Sequence, residues 1–401
     1  MYNYNIFFVI IFWLSVFFVC YTYFGYAFLL FIMVKIKEYH KEKKQMPVLD
    51  EFPEVTLLIA AYNERDTVAA KVHNTNELDY PKEKLKQLWI TDGSDDGTPE
   101  LLQQYADIAV YHQNERMGKI AAINRGMNFV TTPIVIFSDA NTLLGKESVR
   151  RIVRLFADPK VGCVAGEKRI FENKKDMAAG AGEGLYWKYE SFLKYYDARL
   201  YSVVGAAGEL FAIRREFFTE MEHDTLLDDF VISLRIAMQG YVTQYDPQAF
   251  SCETSSANVR EELKRKIRIS AGGFQSIVRL SPLLNIFKYG ILSFQYISHR
   301  VLRWTIAPLC LLLLFATNLV LAVQSNVLTL CFFTVVFWLQ IAFYAMALLG
   351  WAFAHRQIKL KLLFVPYYFF IMNLAVYIGF FRYLMKNQDV KWERASRKTN
   401  L

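Results

Sequence analysis

Val55-Thr56-Leu57-Leu58-Ile59-Ala60-Ala61-Tyr62-Asn63-Glu64 is the stretch that decides the fold class. Its β-branched and aliphatic residues carry no charge before Glu64, which fits a strand buried on both faces that ends in a polar loop. The pattern recurs downstream. Gln87-Leu88-Trp89-Ile90 runs into Thr91-Asp92-Gly93, Ala109-Val110-Tyr111-His112 forms a third run, and Pro133-Ile134-Val135-Ile136-Phe137 ends at Ser138-Asp139-Ala140-Asn141. Helical stretches over about 66–77, from Pro99, and over 118–130 separate these runs. The order is βαβαβαβ, which predicts an α/β domain with a mostly parallel sheet covered by helices on both faces. Ligands bind beyond the carboxyl ends of such strands. Three of the four predicted strands end in polar or acidic residues: Asn63-Glu64, Asp92 and Asp139.

Outward from this domain the composition changes. The 401 residues are 54% hydrophobic and only 21% charged, too apolar for one soluble domain. Residues 6–34 contain no charged side chain. This run exceeds what the hydrocarbon core of a bilayer requires, and it lacks the basic start and short apolar core of a cleaved signal. It predicts a retained transmembrane helix. Three more apolar runs, about 304–323, 327–354 and 362–381, predict a C-terminal bundle. The expected organisation is therefore a transmembrane helix at 1–36, a soluble domain at 50–280 and an interfacial amphipathic helix at 281–300. A bundle of about three segments at 301–385 and a basic tail at 386–401 complete it.

Lys35, Lys37, Lys41, Lys43 and Lys44 follow the first span, which places that end, and the soluble domain, in the cytoplasm of a cell that holds the chain in its inner or plasma membrane. The net charge of +8 then suits anionic lipid head groups, so the bilayer is an expected partner. Nucleic acid is not, because no basic–aromatic stacking module accompanies the charge. Three crossings after a cytosolic domain put the C-terminus outside, yet Lys386, Lys391, Arg394, Arg397 and Lys398 make the tail look cytoplasmic. A re-entrant late run is one resolution. The five cysteines are dispersed and read as small buried hydrophobes rather than a zinc site or disulfide framework.

Asp92-Gly93-Ser94-Asp95-Asp96-Gly97-Thr98 is, in isolation, ordinary turn chemistry with Thr98 before Pro99 as a helix cap. The chain has no G-x-G-x-x-G and no P-loop motif, so neither a dinucleotide fold nor a P-loop is indicated. An acidic loop of this kind suits hydrogen bonds to a base and ribose. Asp139 and Asn141, one residue apart after a strand, offer oxygen ligands to a hard cation bridging two phosphates.

The ordered set Ala60-Ala61-Tyr62-Asn63-Glu64, Asp92–Thr98, Gly118-Lys119 with Asn124, and Asp139-Ala140-Asn141 resembles family 2 glycosyltransferases. Gly205-Ala206-Ala207-Gly208 with Arg214-Arg215, and Leu227-Asp228-Asp229, continue the resemblance over about 55–270. The flanking spans resemble the processive branch that includes synthases of cellulose, hyaluronan and poly-N-acetylglucosamine. The resemblance implies a GT-A fold, a nucleotide-sugar donor and Mg2+ or Mn2+. It places Ala60, Tyr62, Glu64, Asp92 and Lys119 at the donor, Asp139 and Asn141 at the metal, and Gly208 and Arg214 at the acceptor. Asp229 becomes the general base, with Asp228 beside it raising its pKa. Both acids also suit the first turn of a helix predicted over 228–239. Processive relatives carry Gln-x-x-Arg-Trp; here Arg268 keeps the arginine for the donor diphosphate, while Ile269 replaces the tryptophan that stacks on the acceptor sugar.

The function this implies is an inverting transferase that adds sugar from a nucleotide donor, expected to be a UDP-sugar, to a growing surface or extracellular glycan. Accessory export or synthase subunits are expected partners. Ile269 keeps open a second reading, single-sugar transfer to a lipid-linked glycan. A transporter or scaffold with a nucleotide-binding domain is a third class, for which spans without internal charge give a poor substrate pathway. The aromatic cluster Trp187, Tyr189, Phe192, Tyr195 and Tyr196 reads as core, and His299-Arg300 with Arg303-Trp304 as an interfacial anchor.

Overall fold

The computed structural model describes residues 4–40, 51–171, 179–254, 259–355 and 361–386. Most of the basic tail, and Lys41, Lys43 and Lys44, lie outside the described residues. The four predicted strands are present as β1 (Val55–Ala61), β2 (Leu85–Asp92), β3 (Ile108–Gln113) and β4 (Ile134–Asp139), all mutually parallel. Alternate residues face opposite ways, and both sides are apolar. Leu57, Ile59, Trp89 and Ile136 belong to one core, Leu58, Ile90, Val135 and Phe137 to the other. The central strands are buried on both faces, which is why their sequences are continuous apolar runs rather than alternations.

Four further strands extend the sheet: β5 (Leu143–Leu144), β6 (Val161–Phe171), β7 (Leu210–Arg214) and β8 (Val242–Thr254), in the order β3-β2-β1-β4-β7-β6-β8-β5. β7 runs antiparallel to both β4 and β6. This reversal brings the residues before β7, including Gly208, to the carboxyl end of β4.

Four helices among the described residues are long and apolar enough to cross a membrane: Ile6–His40, Ile306–Gln324, Phe332–Phe353 and Leu363–Leu384. The first packs its amino-terminal half on the bundle, through Phe12 against Leu321 and Phe333, and its carboxy-terminal half on the α/β domain. There Tyr26, Leu30 and Val34 meet Leu193 and Leu200 of the helix Ala179–Leu200, and Lys37 Nζ caps that helix by donating to the carbonyls of Arg199 and Leu200. The last helix, Lys361–Leu384, lies against the helix Val259–Arg279. Gly379 permits the close approach: a Cβ there would stand 2.6 Å from Ser270 Cβ. Phe380 and Tyr383 beyond it meet the Phe274 ring at 5.0 and 6.5 Å.

The single amphipathic helix expected over 281–300 is corrected to a broken path. Short turns at Ser281–Leu284 and Ile286–Tyr289 precede Ile291–Tyr296 and a π-helical turn at Ile297–Val301. Pro282 begins the first turn, and Gly290 at φ +53° ends the second, so neither continues as regular helix.

Candidate active site

The loops after β1 and β2 are knitted to each other. Asn63, in a left-handed conformation at φ +53°, donates through Nδ2 to Asp95 and accepts from the Asp95 N–H, while its own N–H reaches Ser94 Oγ. The Glu64 N–H donates to Thr98 Oγ1, and the Arg65 N–H to Asp96. Asp96 also accepts from the Thr98 N–H and hydroxyl. Much of the acidic loop is therefore turn and cap chemistry, as its composition suggests in isolation. Asp92 holds the next loop: Oδ2 accepts the N–H groups of Met117 and Gly118 at 3.0 and 2.6 Å, and Arg125 stands 3.6 Å from Oδ1. Burial raises the Asp92 carboxyl above the usual carboxylate range, against those donors and Arg125.

At the end of β4, Asp139 Oδ1 accepts from Lys119 Nζ at 2.9 Å, and Asp228 Oδ2 lies 3.5 Å from the same ammonium. Burial works against the Lys119 charge, but Asp139 and Asp228 outweigh it and hold the ammonium well above its ordinary value. Asp228 and Asp229 occupy the first turn of the helix Asp228–Met238, as the helix-end reading predicts. Burial first, and then Asp228, push the Asp229 carboxyl up to about 7, with Lys119 opposing. Gly208 lies against this group: a Cβ there would stand 3.4 Å from Asp229 Oδ2 and 3.6 Å from Lys119 Nζ. An alanine would meet both at ordinary contact distance, whereas a longer side chain has the carboxylate and the lysine in its way.

These groups share a cavity of about 700 Å³ lined by Lys119, Asp139, Gly208, Asp228, Asp229 and Arg268 at its polar end. Arg268 is within electrostatic reach of Asp139, Asp228 and Asp229. Much of the remaining wall comes from membrane helices: Tyr23 and Phe24 of the first span, and Val365, Phe369, Met372 and Val376 of the last helix. Trp187 and Tyr189, which read as core in the sequence, face the cavity as well.

A divalent cation fits this chemistry. Asn141 Oδ1 and Asp228 Oδ2 are buried oxygens without a hydrogen bond, and Asp139 faces the same Lys119 ammonium as Asp228. No group of three His, Cys, Asp or Glu among the described residues is arranged to hold a metal by itself, so diphosphate oxygens would complete the shell. Behind Asp139, Lys71 is fully buried and donates to Ser138 Oγ and the Thr142 carbonyl, both at 2.7 Å. It fixes the turn that carries Asp139 and Asn141, and burial pushes its ammonium down to about 7. The sequence shows only a lysine on a helix.

Three expectations need correction. Arg214 is paired with Ile134 at the start of β4, the opposite end of the sheet from Asp139. It donates to the carbonyls of Val161, Phe156 and Asp158, a structural clamp rather than an acceptor contact. Arg214→Met is expected to lower stability by about 1–3 kcal/mol, from the loss of charge-assisted bonds, and to leave the acceptor KM within about twofold. A thermal melt alongside acceptor titration distinguishes the two roles. Glu64, expected at the donor, is fully buried and accepts from Thr67 Oγ1 through Oε2, so its side chain is packed into the domain rather than presented at the surface. Ala60 and Tyr62 stand at the β1 end beside this knot, and the Arg116 guanidinium covers the Tyr62 ring at 3.7 Å.

The third concerns the interfacial anchor, which is instead a buried ion network. His299 has no exposed surface and places Nδ1 2.6 Å from Asp197 and Nε2 3.4 Å from Glu190. Arg300 lies 3.1 Å from Glu190, Arg303 pairs with it too, and Tyr26 of the first span and Gln295 donate to Asp197. Burial would raise Glu190, but Arg300 and Arg303 hold it well below the usual range.

Residues 56–221 match the model of the Glycosyl transferase family 2. These residues form a family 2 glycosyltransferase domain. The chain is 26% identical over 248 residues to the poly-beta-1,6-N-acetyl-D-glucosamine synthase of Staphylococcus aureus (strain MSSA476), covering 60% of each chain. It is 22% identical over 266 residues to the synthase of the same name from Staphylococcus epidermidis, covering 64% of each. The alignment thus spans under two thirds of these curated relatives. A mannosyltransferase from Pyrobaculum calidifontis, solved with GDP-Man and Mn2+, superimposes with a TM-score of 0.67 at 22% identity over 94% of this chain and all of that one. The shared architecture is the GT-A fold, a Rossmann-like, mostly parallel sheet. The family 2 domain is here flanked on both sides by apolar helices.

Proposed function

We propose that this chain transfers a sugar from a nucleotide diphosphate donor, UDP-linked by preference, to a hydroxyl of a growing glycan, with inversion at the anomeric carbon. The observation that carries this reading is the juxtaposition of Asp229, Gly208, Lys119 and Asp139 at one end of a single cavity. Asp229 accepts the proton of the attacking hydroxyl in a one-step displacement. Gly208 leaves the space in which that hydroxyl lies. Arg268 and Lys119 face the departing diphosphate. Mg2+ or Mn2+, held by Asp139 and Asn141, supplies neutralisation of the diphosphate charge when bound.

The relatives' names support a polysaccharide product; in this reading the domain works on the cytoplasmic face of the plasma membrane and passes the product to export or accessory subunits. A lipid-linked acceptor is the second reading, and the specific observation in its favour is the wall that membrane helices give the cavity. Membranes containing the chain, supplied with a panel of nucleotide sugars and either cation, are expected to release nucleotide and extend a glycan. Mass analysis that found only a single-sugar adduct on extracted lipid would overturn the polymer reading; no nucleotide release from any donor would overturn both.

The raised Asp229 carboxyl sets the pH dependence. The base works only when deprotonated, so kcat/KM is expected to rise with pH and to level off above about 7. Asp228→Asn removes the neighbouring charge and leaves burial in place. Its acid limb is expected at lower pH than that of the wild type, read from rate profiles at saturating metal.

A further inference from the structure

The wall of the cavity contains a cation that the transfer chemistry does not use. Lys194 lies on the helix Ala179–Leu200, is 3% exposed and lines the cavity. It has no hydrogen bond or ion pair among the described residues. Burying an ammonium without a partner is costly, and a lysine so placed ordinarily meets a carboxylate. Two carboxylates stand on the same helix face, Glu190 four residues before it and Asp197 three residues after. Both are committed elsewhere: Glu190 to His299, Arg300 and Arg303, and Asp197 to His299, Tyr26 and Gln295. The network takes up Lys194's natural partners and leaves its ammonium to the cavity.

The rest of that cavity is built for more than sugar. Tyr23, Phe24, Val365, Phe369, Met372 and Val376 line it from two membrane helices, and Phe24 is itself 74% exposed on the outer side of its span. A neutral glycan calls for hydrogen-bonding groups and aromatic platforms such as Trp187, and does not call for an unpaired ammonium at the cavity wall. An anion joined to an apolar chain matches both parts: the ammonium takes the charge, and the side chains of the two membrane helices take the hydrocarbon.

We propose that Lys194 is the anion-binding residue of the acceptor end of the cavity, and that its ligand is a phosphate ester carried on an apolar chain. The proposal rests on the reading of this cavity as the acceptor site. Lysine, as a compact point charge on a flexible stem, suits a phosphate that must settle at varying depth as the chain slides between helices.

The full-length protein in detergent micelles is titrated with farnesyl phosphate, farnesol and inorganic phosphate, and bound species are counted by native mass spectrometry. Farnesyl phosphate is expected to bind at least about tenfold more tightly than farnesol, since a hydrogen bond to a charged group supplies that much. Lys194→Met and Lys194→Gln are expected to erase the difference while farnesol binding stays, and Lys194→Arg to retain it. Using two neutral variants keeps a folding defect in one, which would remove farnesol binding as well, from deciding the matter. Equal binding of farnesyl phosphate and farnesol by the wild type, or an undiminished preference in both neutral variants, overturns the proposal. So does displacement of farnesyl phosphate by inorganic phosphate at similar concentration, which would mark a site for free phosphate. Nucleotide release is measured separately. A chain that shows the Lys194-dependent preference but turns over no nucleotide sugar overturns the transferase reading and leaves this site standing.

Discussion

Asp229→Asn is expected to lower kcat by about a thousandfold, the middle of the range for losing a positioned general base, with donor KM changed by no more than about twofold. The substitution is close to isosteric and removes only the capacity to take a proton. Asp229 stands beside Gly208 and Lys119 rather than at the β1 and β2 ends, so donor contacts there are untouched. The neighbouring Asp228 cannot substitute, because Lys119 stands 3.5 Å from its Oδ2. Single-turnover release of nucleotide, with and without acceptor, reads the effect directly. A variant with wild-type turnover would remove Asp229 from the mechanism.

The second large effect is expected at Asp139. Asp139→Asn withdraws the one carboxylate at the end of β4 and leaves two amides, the introduced one and that of Asn141, as ligands for a hard cation. The metal concentration for half-maximal activity is expected to rise by about 10- to 100-fold, with turnover falling at fixed metal. The lysine gives a second readout. Lys119 Nζ holds Asp139 Oδ1 at 2.9 Å, so the metal must compete with an ammonium for this oxygen in the wild type. Lys119→Met is therefore expected to tighten metal binding in isothermal titration even as it impairs transfer. Metal affinity indifferent to both substitutions would show that the cation sits elsewhere.

How far the sequence carries a reader depends on the range of the interactions involved. β1 to β4 are legible because buried parallel strands are uninterrupted apolar runs, and because each is joined to the next by a helix. β6 is not legible. Gly162 and Gly166 coincide with register shifts against β8, between Val161 and Cys163 and between Ala165 and Glu167, and these bulges break the alternation that identifies a strand. Asp139, Lys119 and Asp229, which line one cavity, are linked in the sequence by the order of their motifs, whereas spacing alone does not show that Asp92, not among the residues lining that cavity, spends an oxygen on the 117–118 backbone. Arg214 misleads because it adjoins a segment that does reach the site. β7 carries it away, along a strand that runs from the catalytic end of the sheet to the other.

The buried network is illegible for a plainer reason. His299, Arg300 and Arg303 precede an apolar run, where charge ordinarily meets lipid head groups. Their partners, Glu190 and Asp197, lie about a hundred residues earlier in the chain, and nothing local announces the pairing.

The last helix bears on how the chain is threaded through the bilayer. Its residues from Val365 to Val376, about 16 Å of helix at the usual rise, run along the catalytic cavity, and Gly379 and Phe380 rest on the soluble domain's own helix Val259–Arg279. Counting it as a roof leaves three crossings where composition counts four, and an odd number puts the two ends of the chain on opposite faces. Lys386 then emerges beside the catalytic domain, on the side where positive charge is retained.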